Sequence, residues 1–128
     1  MSNIEELRAW AEGNYALEAA TELLIRGYRG RYAQSGNTWI KNRNGRTWID
    51  FKDMASSMAS SLGGEKRFLL LVASIGTDAP VVLGDLVSGL NREPLDLVLA
   101  AIAHAGGSHG QSTELGSLYP WPEELYSL

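Results

Sequence analysis

The chain contains no cysteine, which excludes disulfides, thiol nucleophiles and thiolate metal sites together. A reducing compartment permits this, and a cytoplasmic location is the expectation. No apolar run approaches the ~20 residues that a membrane-spanning helix needs, so no membrane partner is expected. The opening residues Met1-Ser2-Asn3-Ile4-Glu5-Glu6 are acidic, where a secretory signal would be basic and then apolar. Positive charge is missing from a whole stretch: after Arg92 there is neither lysine nor arginine, while Glu93, Asp96, Glu114, Glu123 and Glu124 follow. No G-x-x-x-x-G-K-[ST] element occurs, so nothing predicts the phosphate cradle of a nucleotide hydrolase. The serines at 56, 57, 60 and 61 lie in no nucleophile-elbow context and read as helix surface and caps.

What remains is ordinary in amount and uneven in distribution. The 128 residues are 45% hydrophobic and 20% charged, as in a single globular domain able to bury one core. Net charge is −4, which disfavours nucleic acid on average. Yet between Arg26 and Lys52 lie Arg29, Arg31, Lys41, Arg43 and Arg46, with Asp50 the only acid among them.

Local signals predict an α+β fold, predominantly α-helical: an irregular helical bundle with one inserted two-stranded antiparallel β-hairpin. Residues 1–106 form the domain, with the hairpin at about 38–51, and residues 107–128 form a Gly/Ser/Pro/aromatic tail. Asn3 with Glu6 is a capping-box arrangement opening a short helix that Gly13 stops. Asn14 caps a second helix that Gly27 ends. Asn44-Gly45 between β-prone runs predicts a two-residue type I′ turn, so that Arg43 faces Arg46, Lys41 faces Trp48 and Trp39 faces Asp50. Period-two alternation then places these six on one face, and Ile40, Ile49 and Phe51, with Thr38, Asn42 and Thr47, on the other. A helix begins at Asp50 or Phe51 and runs through Met54 and Met58. Three further helices, over Glu65 to Ile75, from Asp78 and Pro80 through Leu90, and from Asn91 through Ile102 to Gly106, are expected to make the main core. A rival assignment turns Phe68 to Ala73 and Val81 to Asp85 into strands, because short apolar runs cannot be separated by periodicity alone.

Three constellations bear on function. On the hairpin, Trp39, Lys41, Arg43, Arg46 and Trp48, extended by Tyr28, Arg29, Arg31 and Tyr32, interleave cations with rings as a polyanion-binding face does; stacking contributes ~1–3 kcal/mol per base. The competing explanation is that the tryptophans belong to the core and the cations solvate an exposed tip. In the tail, Leu118, Tyr119, Trp121, Leu125 and Tyr126 are too apolar to remain in water, so the tail is expected to dock on its own domain, on a second copy, or on another protein. His104 and His109 are the only histidines. No carboxylate sits near them at ligand spacing, so no metal or cofactor is expected, and use as a general base needs a partner from elsewhere in the fold.

No catalytic constellation stands out, so the leading expectation is a small non-enzymatic protein-interaction module, binding itself as a homodimer or another protein. A nucleic-acid or polyanion binder is the first alternative, and a small enzyme using His104 or His109 the second.

Overall fold

The computed structural model describes residues 3–58, 63–111 and 119–122. Its elements are α1 (Asn3–Ala11), α2 (Tyr15–Arg26), a 3-10 segment (Gly27–Ala33), β1 (Ile40–Arg43), β2 (Arg46–Ile49), α3 (Phe51–Ser57), α4 (Gly64–Gly76), α5 (Leu83–Val87), α6 (Arg92–Ala105) and α7 (Ser108–Gln111). The fold is thus predominantly helical with one antiparallel two-stranded sheet, as the pattern predicts. The rival strands are absent: Phe68 to Ala73 lies inside α4, and Val81 and Val82 pair with nothing as a ladder. Among the described residues no helix is long and apolar enough to cross a membrane.

The centre of the molecule is α2, which packs on α1, α4 and α6. Asn14 starts it, its side-chain oxygen accepting from the Leu17 amide at 2.9 Å. Its buried residues Ala19, Ala20, Thr21, Leu23, Leu24 and Ile25 occupy more than one side, and the small ones let neighbouring helices approach closely. The expectation that the three C-terminal helices form the main core is therefore corrected. α4 and α6 do contribute buried faces, Phe68, Leu69, Leu71, Val72 and Ala73 from one and Leu97, Val98, Ala100 and Ala101 from the other. α5 does not: it is five residues long and buries none of them. The helix expected from Pro80 begins only at Leu83, with Val82 extended before it.

α2 stops at Gly27 for a packing reason. Its φ and ψ of −70° and 140° suit any residue, but a Cβ there would sit 2.2 Å from Cζ of Phe68. The chain then turns through three left-handed residues, Tyr28, Arg29 and Gly30, with φ of 50°, 58° and 75°. The two non-glycine members cost of order 1–2 kcal/mol each. Packing holds them, with the Tyr28 ring edge-on to Phe68 at 5.1 Å and to Tyr32 at 5.9 Å.

The hairpin has the predicted register: Ile40 opposite Ile49, Lys41 opposite Trp48, Asn42 opposite Thr47 and Arg43 opposite Arg46. Asn44 and Gly45 both take positive φ, 55° and 78°, as the type I′ turn requires. Ile40, Thr47 and Ile49 face inward and are buried, and Phe51 follows them into the core. β2 packs on α1, where the Thr47 hydroxyl donates to Glu6 Oε2 at 2.8 Å and accepts from the Asn42 amide at 2.9 Å. Glu6, the expected capping-box partner of Asn3, thus pins the hairpin, while the Asn3 amide donates to the Ala33 carbonyl.

Candidate functional sites

Two places bring chemistry-bearing side chains together. The first is the outer face of the hairpin. Arg43 and Arg46 stand directly opposite each other beside the turn, both exposed, and neither is ion-paired among the described residues. With Asn44 and the half-buried Trp48 they line a hollow of about 370 Å³. Two like charges facing each other across a strand pair repel unless an anion lies between them. Lys52, exposed at the start of α3, borders a second hollow that Trp48 shares with Trp10 and Phe51.

Trp39 does not belong to this face, which corrects the expectation from alternation. It is 5% exposed, its indole N–H donates to the Tyr32 carbonyl at 2.8 Å, and its ring lies 6.1 Å from that of Tyr32. The reason is geometric. Ladder alternation governs residues within a strand; the Asp50 amide still donates to the Trp39 carbonyl at 2.8 Å, but Trp39 itself lies in the turn that precedes β1, and its side chain turns inward onto Tyr32. Lys41 remains on the face but pairs with Asp53 at 3.4 Å. Of the residues that could have extended it, Tyr28 and Tyr32 pack against the core. Arg31 pairs with Glu65 at 2.9 Å, and Arg29 is exposed on the left-handed turn. The basic face is thereby reduced to Arg43, Arg46 and Trp48, with Lys52 at its margin.

The second place is a cleft of about 350 Å³ between α1, α2 and α6. Across it Glu22 of α2 accepts from Arg8 Nη2 at 2.7 Å and from Arg26 Nε at 2.7 Å. Burial works to raise the Glu22 carboxyl, but the hydrogen bonds from the two guanidiniums outweigh it and hold the group below the usual carboxylate range. The Thr21 hydroxyl also lines the cleft, buried and without a hydrogen-bond partner among the described residues.

Trp121 forms one wall. Arg26 lies over its ring at 5.1 Å and donates to the Pro122 carbonyl at 3.1 Å, so this part of the tail docks on its own domain. Tyr119 is half exposed, and its carbonyl oxygen is 2.6 Å from His109 Nε2. Leu118, Leu125 and Tyr126 lie outside the described residues. His104, on the last turn of α6, places Nε2 2.8 Å from Glu18 Oε1 and Nδ1 3.2 Å from His109 Nδ1. The hydrogen bond from His104, then that from the Gly13 amide, holds the Glu18 carboxyl below its ordinary range.

Sequence spacing had assigned His104 no acidic neighbour, because Glu18 is 86 residues away and no local signal links them. Glu22, Arg8, Arg26 and Thr21 were missed for the same reason. A carboxylate holding an imidazole is the arrangement that orients a general base. Here, however, both nitrogens of both rings already face a hydrogen-bonding atom. Among the described residues no group of three histidine or carboxylate side chains could hold a metal ion.

Searches of family models, of curated proteins and of solved structures returned no match to the chain.

Proposed function

We propose that this chain is a small non-enzymatic interaction module whose hairpin tip grips an acidic segment of a partner protein. The observation that carries the reading is the pair Arg43 and Arg46, directly opposed, exposed and without counter-ions among the described residues, beside Trp48. Two guanidinium forks on neighbouring strands suit planar carboxylates, each able to make two parallel N–H···O bonds. Trp48 offers an adjoining apolar surface, and the rigid attachment of β2 to α1 presents the tip in one geometry.

An acidic protein segment fits better than nucleic acid on counting grounds. Trp39 is buried and Lys41 is paired, which leaves about two free cations on the face. Neutralising two phosphates gives a log–log salt slope of only about −1.8, or roughly a tenfold change between 50 and 200 mM salt. That is a weak track for a polymer on a protein of net charge −4.

The test is fluorescence anisotropy with a labelled glutamate-rich peptide and, in parallel, a labelled single-stranded oligonucleotide. The peptide is expected to bind, and the Arg43→Ala, Arg46→Ala double variant to weaken it by about tenfold or more, as loss of a charge-assisted pair does. Unchanged peptide binding by the double variant, or none by the wild type at low salt, would overturn the reading. Tighter oligonucleotide binding with a steep salt slope would replace it with the nucleic-acid alternative.

A further inference from the structure

The two histidines pose a proton-counting problem. Glu18 Oε1 faces His104 Nε2 at 2.8 Å and the Tyr119 carbonyl oxygen faces His109 Nε2 at 2.6 Å. A carboxylate and a carbonyl only accept, so each Nε2 carries a hydrogen. The two Nδ1 atoms lie 3.2 Å apart, and they bond only if one of them, and not both, is protonated. The chain of bonds therefore needs three protons on two rings that hold two when neutral. The Trp121 indole N–H points at His104 Nδ1 from 3.3 Å. That donor requires the lone pair on His104 Nδ1, which the indole and the His109 N–H then share as a bifurcated acceptor, and so puts the additional proton on His109.

We propose that His104 and His109 form a single-proton site whose occupancy clasps the Tyr119–Pro122 segment over the cleft between α1, α2 and α6. With no additional proton, two lone pairs face each other. With two, a pair of N–H groups collide and the indole N–H loses its acceptor. Either state breaks the central bond of the clasp.

Among the described residues the groups facing the pair are few. From α2 come the Glu18 carboxylate and the Tyr15 ring, edge-on to His104 at 6.1 Å. Glu22 and Arg26 lie farther along α2, and Arg8 of α1 and Glu12 in the turn after it complete the cleft. Arg8 and Arg26 are engaged by Glu22, so among the described residues Glu18, 2.8 Å from His104, is the carboxylate that balances the shared charge. The tail contributes the Trp121 ring, 6.0 Å from each imidazole, and Tyr119.

The docked segment needs one additional proton on the pair of rings, no fewer and no more. Docking therefore weakens as pH rises above the optimum, because a proton must be taken up to dock. It also weakens as pH falls below the optimum, because one must be released. Each limb changes the docking constant by up to about tenfold per pH unit. Detachment frees His104 Nδ1 and opens the wall of the cleft that Trp121 forms.

The experiment follows the Trp121 indole N–H resonance of the full chain, assigned with Trp121→Phe, from about pH 4 to about pH 9, the span over which histidine switches operate. The docked signal is expected to peak at an intermediate pH and fall on both sides. His109→Ala should abolish the peak, and Glu18→Gln, which keeps an acceptor but removes the counter-charge, should move it to lower pH. A pH-independent signal, a single sigmoid, or the same peak in His109→Ala would overturn the proposal. So would a wild-type response that changes on adding EDTA, since a metal ion and not a proton would then bridge the rings.

Discussion

Trp39 decides whether the hairpin is divided as described, and its replacement by alanine gives the sharpest measurement. The indole is 5% exposed, hydrogen-bonded to the Tyr32 carbonyl and packed on the Tyr32 ring. Truncating a buried tryptophan to alanine costs about 3–5 kcal/mol. A domain of this size has about 5–15 kcal/mol in total, so about a fifth or more of its stability depends on one side chain. Trp39→Phe keeps most of the apolar contact but leaves the Tyr32 carbonyl without its donor, at about 1–3 kcal/mol. Alanine at Arg43 or Arg46 should stay within about 0.5 kcal/mol, as exposed positions do. Urea unfolding followed by circular dichroism separates these cases. With a slope near 1.5 kcal/mol per molar, Trp39→Ala should lower the midpoint by roughly 2–3 M. A shift below about 0.3 M, comparable to the arginine variants, would refute the burial argument and return Trp39 to the basic face.

Two further outcomes follow from packing and charge. Gly27→Ala drives a methyl to within 2.2 Å of Phe68 Cζ, an overpacking worth about 1–3 kcal/mol; thermal unfolding should show a Tm lower by roughly 3–12 °C, with part restored when Phe68→Leu is added. Glu22, held below the usual carboxylate range by Arg8 and Arg26, stabilises the fold above the unfolded-state value of about 4.3 and loses that contribution as pH falls through its lower folded value. The stability gap between wild type and Glu22→Gln, measured by urea midpoints from about pH 7 to about pH 3, should therefore narrow only at the acid end of that range.

The hairpin was legible in the sequence because everything that specifies it is local. Asn44-Gly45 sets the turn and alternation sets the faces, so the register follows without knowledge of any partner. Trp39 escaped because it stands in the turn just before β1, where alternation no longer fixes a side chain's direction, and because its partner Tyr32 belongs to a 3-10 segment whose left-handed residues Tyr28 and Arg29 neither residue type announces. The helical core was legible in kind and misplaced in detail. Of Leu83, Leu86, Val87 and Leu90, which look like a core stripe, the last three pack half-buried against the core while Leu83 is 50% exposed, because a five-residue helix presents too little face to bury them fully. Gly89 adds a further constraint, since a Cβ there would lie 2.0 Å from Arg67 Nη1. α2 looks weaker by composition and lies at the centre, because small residues such as Ala19 and Ala20 permit close approach from several sides, a property of shape and not of hydropathy.

The histidine cluster shows where chemistry and sequence spacing part company. Its carboxylate comes from α2, its imidazoles from the end of α6 and from α7, and its remaining acceptor from the tail, so no window of the sequence contains it. The same engagement bears on the enzyme alternative. A general base needs a ring nitrogen with a free lone pair directed at substrate, and with the tail docked each of the four ring nitrogens already faces another atom of this chain. Catalytic use of His104 would require Trp121 and His109 to leave first, which is the event the single-proton clasp controls. An activity belonging to the cleft would accordingly rise where the Trp121 docking signal falls. One that stayed constant across that pH range would place the chemistry elsewhere.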